Sequence, residues 1–222
     1  MNRCILAIVA APLAWSLGAC SNDEPEYRVP TDVCYDFVTF ESKDAKGSDF
    51  SLRRSGDSEL INYHSGYSFD QDTVLHPGYR FIIQYKRVDG EPYTSGRITL
   101  YGYRLLDNAN SQQLVGYDPQ NPSEMVKPQT MTRTGQYINM QMQMSCMHAA
   151  KAKTMELAVD SSTLNSDVPE LKLVYHASSP GENYTTGYAS FDVSSVWDLP
   201  TCRGVKVTCR TPNGDESSIF YK

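Results

Sequence analysis

The chain has little that announces chemistry. It holds four histidines and two tryptophans among 222 residues. His64, His76, His148 and His176 are scattered, so no HExxH metal motif forms. No CxxC pair occurs, which removes zinc ribbons and the common thiol-redox motifs. There is no GxSxG elbow for a hydrolase, no Walker loop and no dinucleotide fingerprint. His176 does stand near Ser178 and Ser179, but Ser, His and Asp fall together by chance in any chain this long. Basic residues are in deficit, 20 against 26 acidic, giving a formal net charge of −6. Nucleic acid and anionic lipid repel such a chain, so neither is an expected ligand. No cofactor is implied, and a non-catalytic protein is expected.

Long apolar runs are missing too, except at the start. Cys4 to Leu17 (CILAIVAAPLAWSL) is too short to cross a bilayer as a stable helix, but behind Arg3 it suits a signal-peptide core. It runs into Leu17-Gly18-Ala19-Cys20, which resembles the lipobox of bacterial lipoproteins. That resemblance implies removal of residues 1–19 and a membrane anchor of acyl chains on Cys20, each buried methylene contributing about 0.8 kcal/mol. Removing residues 1–19 takes away Arg3 alone, leaving 19 basic and 26 acidic side chains and a net charge of −7. Residues 20–32 carry Asp23, Glu24, Glu26 and two prolines, and read as a solvated acidic tether. An acidic run after the lipid cysteine also resembles the surface-export signal of Bacteroidetes lipoproteins. It implies an outer-membrane protein facing outward. Of the later cysteines, Cys34, Cys146, Cys202 and Cys209 either form two disulfides, in any of three pairings, or stay as buried thiols.

What the chain does have is alternation. CYDFVTF (Cys34 to Phe40) and SELINYH (Ser58 to His64) read as strands. Tyr79, Phe81, Ile83 and Tyr85 share one face of the next, with Arg80, Gln84 and Lys86 on the other. GRITLYGYRLL (Gly96 to Leu106) follows after Asp89-Gly90, so the two make a hairpin. Residues 33–106 have the size of a small barrel. Residues 107–127, with DNANSQQ, Pro119 and Pro122, read as a connector in which Leu114, Val115 and Tyr117 pack against one domain. Residues 128–222 hold several short strands, among them TMELAVD, PELKLVYHA and GYASFDVSSV, and end in a hairpin turning at Asn213-Gly214. That pattern predicts a β-sandwich, with Val205, Val207 and Cys209 on its core face.

The order of these segments carries a resemblance. The lipobox with its acidic tail, GYRFIIQY, ITLYGYRLL, YINMQMQM, LKLVYHA and SFDVSSV together resemble the NigD-like lipoproteins of Bacteroidetes. The resemblance implies an all-β chain, a small OB-like barrel followed by an antiparallel β-sandwich. It brings no catalytic set with it. The extra cysteines and the methionine-rich strand depart from the family's pattern.

Three candidate sites follow. In YINMQMQMSCMH, Ile138, Met140, Met142, Met144 and Cys146 form one apolar row, opposite Asn139, Gln141, Gln143 and Ser145. A core strand is the expected reading, since methionine fills irregular cores well. The alternative is a Cu(I) site of Met142, Met144, Cys146 and His148, which requires that face to be open. Second, 15 tyrosines gather largely in the barrel, and OB barrels bind oligosaccharides on an aromatic face. Tyr79, Tyr85, Tyr101 and Tyr103 are the stacking candidates. Third, Asp72-Thr73-Val74 resembles the O-glycosylation motif of Bacteroidetes envelope proteins, making Thr73 a candidate for modification. The expected partners are the membrane, through the anchor, and an envelope or extracellular protein or a glycan.

Overall fold

Alternation becomes strand after strand, thirteen among the described residues. The computed structural model describes residues 33–70, 74–91, 93–106, 114–120, 123–145, 153–177 and 184–222, all within one compact unit. The lipidation candidate Cys20, the tether, Thr73, Cys146 and His148 lie outside them.

The first five strands are β1 (Cys34–Asp44), β2 (Gly47–Leu52), β3 (Ile61–Ser65), β4 (Arg80–Arg87) and β5 (Gly96–Leu105). They close into a barrel in the order β1-β2-β3-β5-β4, with β4 returning to β1. Only the β3–β5 pair runs parallel, the connectivity of an OB barrel. Register decides what the barrel buries. Val38 pairs with Phe81, Asp36 with Ile83 and Cys34 with Tyr85, so these residues turn inward together. Phe40, Phe50, Phe69 and Phe81 meet at ring separations of 5.6–6.3 Å, edge-on or tilted as aromatic quadrupoles prefer. Closure leaves no room at Gly47, which turns β1 into β2 with φ +150°; a Cβ there would overlap the Ser65 carbonyl of β3.

The rest of the chain forms two facing sheets. Its elements are β6 (Leu114–Gly116), β7 (Val126–Thr134), β8 (Tyr137–Ser145), β9 (Lys153–Val159), β10 (Glu170–Ala177), β11 (Tyr184–Asp192), the one-turn helix α1 (Ser194–Trp197), β12 (Gly204–Thr211) and β13 (Gly214–Tyr221). One sheet runs β13-β12-β10-β9-β6 and the other β11-β8-β7. Between them lie Ile138, Met140, Met142 and Met144 of β8, Leu171, Leu173 and Tyr175 of β10, and Val205, Val207 and Cys209 of β12. Each such side chain contributes roughly 1.5–3 kcal/mol of burial.

All-β class and barrel-before-sandwich order are as expected. The sandwich is mixed, however: β10 pairs parallel with β12, and β6 with β9. The chain leaves the sheet as β11 between β10 and β12, so it re-enters in the same direction. The expected connector supplies β6 and the first two residues of β7. The run GYASFDVSSV ends as strand at Asp192, whose carboxylate accepts a bond from the Ser194 N–H (2.9 Å) and turns the chain into α1. No helix among the described residues is long and apolar enough to cross a membrane.

Candidate functional site

Period two gives each sheet an outer face, and here two outer faces meet. Inward-turned Cys34, Asp36 and Val38 leave Tyr35, Phe37 and Thr39 pointing out of the barrel, beside Arg80 and Ile82 of β4. On β8, inward methionines leave Tyr137, Asn139 and Gln141 outward. They pair with Thr134, Thr132 and Thr130 of β7, and Gln141 and Asn139 also pair with Tyr188 and Ser190 of β11. The polar face of the three-stranded sheet therefore packs on the barrel wall.

Arg80 holds one end of this seam. It is 2% exposed, and it donates through Nε to Ser190 Oγ (2.9 Å), Nη1 to Thr39 Oγ1 (2.7 Å) and Nη2 to Asn139 Oδ1 (3.0 Å). Its guanidinium lies 4.1 Å from the Tyr137 ring centroid. Burial pulls its pKa down to about 10, which still leaves it charged at neutral pH. A second clamp is buried Arg133, which grips Asp57 through both nitrogens (3.0 and 2.8 Å) and stacks on Trp197. Backbone bonds from Gly56 N–H to Arg133 and from Gly135 N–H to Gly56 fasten the β2–β3 loop to the β7–β8 turn.

Beyond these clamps the faces part into a cleft of about 390 Å³. Tyr35, Phe37, Arg53, Arg54 and Ile82 line it from the barrel; Thr130, Thr132, Thr134, Asn139, Gln141 and Tyr188 line it from the sheet. Tyr35 is 62% exposed, and Phe37 meets Tyr188 edge-on at 6.4 Å. The Arg54 guanidinium carbon lies over the Tyr93 ring, 3.8 Å from its centroid. The side chains of Thr130, Thr132 and Gln141 have no hydrogen-bond partner among the described residues, so their polar groups are free to meet a ligand. Asp36 reaches the cleft from inside the barrel, at the end of a chain in which Tyr63 and Tyr85 hydroxyls lie 2.9 Å apart and Tyr85 donates to Asp36 Oδ2 (2.8 Å). Burial raises the Asp36 pKa against the opposing pull of Tyr85 and Arg54. It raises both tyrosines as well, so they stay protonated donors. The cleft offers aromatic faces, two guanidinium groups, hydroxyls and amides, and no nucleophile paired with a base.

The residues singled out in the sequence fall elsewhere. Tyr85 is fully buried as a member of the tyrosine–aspartate chain, so it cannot stack on a glycan. Tyr79 packs half-buried against the barrel core. Tyr101 and Tyr103 are exposed, and Tyr103 joins Tyr67 in a surface pair, hydroxyls 3.2 Å apart. Met142 and Met144 are sealed in the sandwich core, with their face closed by the second sheet, so they are not open to a copper ion. Among the described residues no cluster of three His, Cys, Asp or Glu side chains forms, and Cys34, Cys202 and Cys209 are free thiols. Ser42, Asp49 and His64 do come together on the barrel surface. There Asp49 sits in the middle, accepting from Ser42 (2.6 Å) and 2.8 Å from His64 Nδ1, so the imidazole cannot take the serine proton.

Alternation places Arg80 on a polar strand face, yet it is the largest fully buried side chain among the described residues. Nothing local distinguishes an arginine facing water from one facing a second sheet. No sequence signal marks Tyr35, Arg53, Arg54 and Tyr188 for the same reason: they meet only when the two folds dock.

The fold and cleft describe a two-part β protein with a ligand-sized seam. No family model and no curated protein matches the chain. Solved structures do. A NigD-like immunity protein from Bacteroides caccae superposes with a TM-score of 0.61 at 14% identity, covering 88% of this chain and 99% of that one. A protein of unknown function from Bacteroides vulgatus gives 0.67 at 18% identity, over 86% and 90%. A candidate lipoprotein from Bacteroides fragilis gives 0.57 at 9% identity, over 86% and 98%. The chain has the NigD-like fold over nearly all the described residues, in agreement with the resemblance read from its segments.

Proposed function

We propose that this chain is a non-catalytic, lipid-anchored envelope protein that holds a ligand in the cleft between barrel and sandwich. The carrying observation is the cleft itself. Two aromatic faces, two arginines and three unpartnered polar side chains converge on a hollow within the size range of small-ligand sites. Similarity to a candidate lipoprotein and the Leu17–Cys20 segment support the anchor, and the acidic tether supports an outward orientation. The buried Arg80 and Arg133 clamps support a preorganised site, since they fix the two walls before a ligand arrives.

Thr132→Trp is the test of the site, because a large ring there fills the cleft from an exposed strand position without touching either core. Ligand capture by the full chain should vanish while its unfolding midpoint stays put. Retained capture would place the ligand elsewhere. Orientation is tested separately, by protease treatment of intact cells bearing a C-terminal tag, with Cys20→Ala as control. Removal of the tag while a periplasmic marker survives supports the outward reading. A tag protected until the outer membrane is opened refutes it.

A second reading has its own observation: Tyr67 and Tyr103, 43% and 47% exposed with rings 5.6 Å apart, make an aromatic surface at the barrel beside exposed Tyr101 and Leu105. If this is the sugar platform, Tyr103→Ala abolishes glycan capture that Thr132→Trp leaves intact.

A further inference from the structure

The geometry points to a carboxylate-bearing sugar chain, a hexuronate oligosaccharide, as the occupant of the cleft, its rings against Tyr35 and Tyr188 and its carboxylates at Arg53 and Arg54. This rests on the cleft being the binding site and adds the class of ligand.

Charge carries the first half of the argument. The chain is acidic overall, yet this hollow gathers positive charge. Arg53 and Arg54 line it, Arg53 with one nitrogen donating to the Ser58 carbonyl, and Arg104 stands 5.6 Å from the ring of the lining residue Tyr188. The one carboxylate among its lining residues, Asp36, is already held by the Tyr85 hydroxyl. The Arg54 guanidinium carbon lies 3.8 Å from the Tyr93 ring centroid, and its N–H donors make no side-chain hydrogen bond among the described residues, which leaves them for an anion. Two guanidinium groups against one carboxylate leave the cleft with a positive balance, and such a cleft concentrates ligands of the opposite sign.

Shape carries the second half. A neighbouring hollow of about 250 Å³, with Glu41 among its lining residues, shares Arg53 and Thr134 with the cleft, so Arg53 stands where the two adjoin. Unpartnered Thr130, Thr132 and Gln141 match a ring bearing hydroxyls on its edge, and the two tyrosines offer it flat faces. An acidic peptide fits less well. Peptides add to free strand edges or plant an apolar anchor, whereas β1, β4 and β8 are paired on both sides, and the outer strands β7 and β11 line the cleft with the outward side chains of Thr130, Thr132, Thr134 and Tyr188.

The test is calorimetry of the full-length lipoprotein in detergent micelles. Trigalacturonic acid, its methyl ester and a hyaluronan tetrasaccharide serve as probes, the first and last distinguishing plant-type from animal-type uronates. At least one acid should bind, and where the acid and ester are compared the acid should be favoured by about tenfold or more. Arg53→Gln/Arg54→Gln should erase that preference, and Tyr35→Ala should weaken acid and ester alike. Failure of both uronates to bind overturns the inference, as does equal binding of acid and ester. Should acid and ester bind equally but both be lost in Thr132→Trp, the cleft stands as a site and only its preference for anions is wrong. Uronate binding that survives Thr132→Trp removes the cleft itself. A polyglutamate peptide that displaces the saccharide and binds more tightly assigns the cleft to acidic peptides and likewise overturns the inference.

Discussion

Replacing Arg80 by alanine probes the seam most directly. Among the described residues the guanidinium makes three hydrogen bonds to neutral acceptors on three strands, at 2.9, 2.7 and 3.0 Å. Hydrogen bonds involving a charged group are worth about 1.5–3 kcal/mol each, a gross sum of roughly 4.5–9 kcal/mol. Burying the cation costs several kcal/mol in return. Truncation also leaves Thr39 without its donor, while Ser190 still donates to Asn139 Oδ1 (2.8 Å) and Asn139 to Thr134 (2.7 Å). The expected loss for Arg80→Ala is therefore about 3–5 kcal/mol, a large part of a typical domain's stability. Arg80→Met fills the volume and abolishes the desolvation cost, so it should lose only about 1–2 kcal/mol. Urea unfolding of the chain lacking residues 1–20 measures both. Trp197 sits in the sandwich and is the one tryptophan left in that chain, so its fluorescence follows the sandwich while far-UV circular dichroism follows all strands. The two signals should coincide in the parent and separate in Arg80→Ala, because the barrel and sandwich cores are distinct clusters joined across this seam. A loss below about 1 kcal/mol, or an equal loss in Arg80→Met, would refute the assignment of Arg80 as the seam's anchor.

Asp57→Asn should cost about 1–2 kcal/mol, at the low end for a charged hydrogen bond because Asp57 is 65% exposed while Arg133 is buried. Arg133 holds the Asp57 carboxyl below its ordinary value of 3.8, so the clamp contributes above that pH and is lost as pH falls through the folded value. Acid titration of the parent and Asp57→Asn should therefore show a stability gap that is full above the ordinary carboxyl value of 3.8 and closes as pH falls through the lowered folded value. Met142→Leu should lose less than about 1.5 kcal/mol, and Met142→Leu/Met144→Leu should leave Cu(I) uptake unchanged by competition with a Cu(I) chelator. A stoichiometric ion lost in the double variant would reopen the metal reading. Burial pushes the Cys209 thiol up to about 12, and Cys202 is buried with its sulfur 3.2 Å from the Gly204 carbonyl. Neither should react with iodoacetamide in the folded chain, and mass spectrometry of labelled peptides before and after denaturation checks this.

Much of the fold is legible in the sequence because a strand's two faces carry opposite requirements. Met140, Met142 and Met144 alternate with amides, and the methionine side is the buried one. The C-terminal hairpin turns at Asn213-Gly214, and Cys209 shares the core with Val205 and Val207, as the alternation predicts. Strand direction is less accessible. The parallel β10–β12 and β6–β9 pairs depend on which sheet the intervening strand joins, and no short stretch encodes that.

The candidate site is the least legible part. Tyrosine count points to the barrel, but composition cannot tell Tyr85, locked to Asp36 inside it, from Tyr35 on its outer wall. Period two is blind to what lies beyond a face. Asn139 and Gln141 read as solvent-facing, and Arg80 reads the same way. By itself the sequence determined the β class, the two-part order of the chain and which face of β8 is core, because those follow from local periodicity and burial. Only the tertiary structure decided that two polar outer faces dock, burying Arg80 at one end of the seam and leaving a cleft at the other. Docking is a pairing of surfaces distant in sequence, and polar residues carry no local mark of whether water or a second sheet completes their hydrogen bonds.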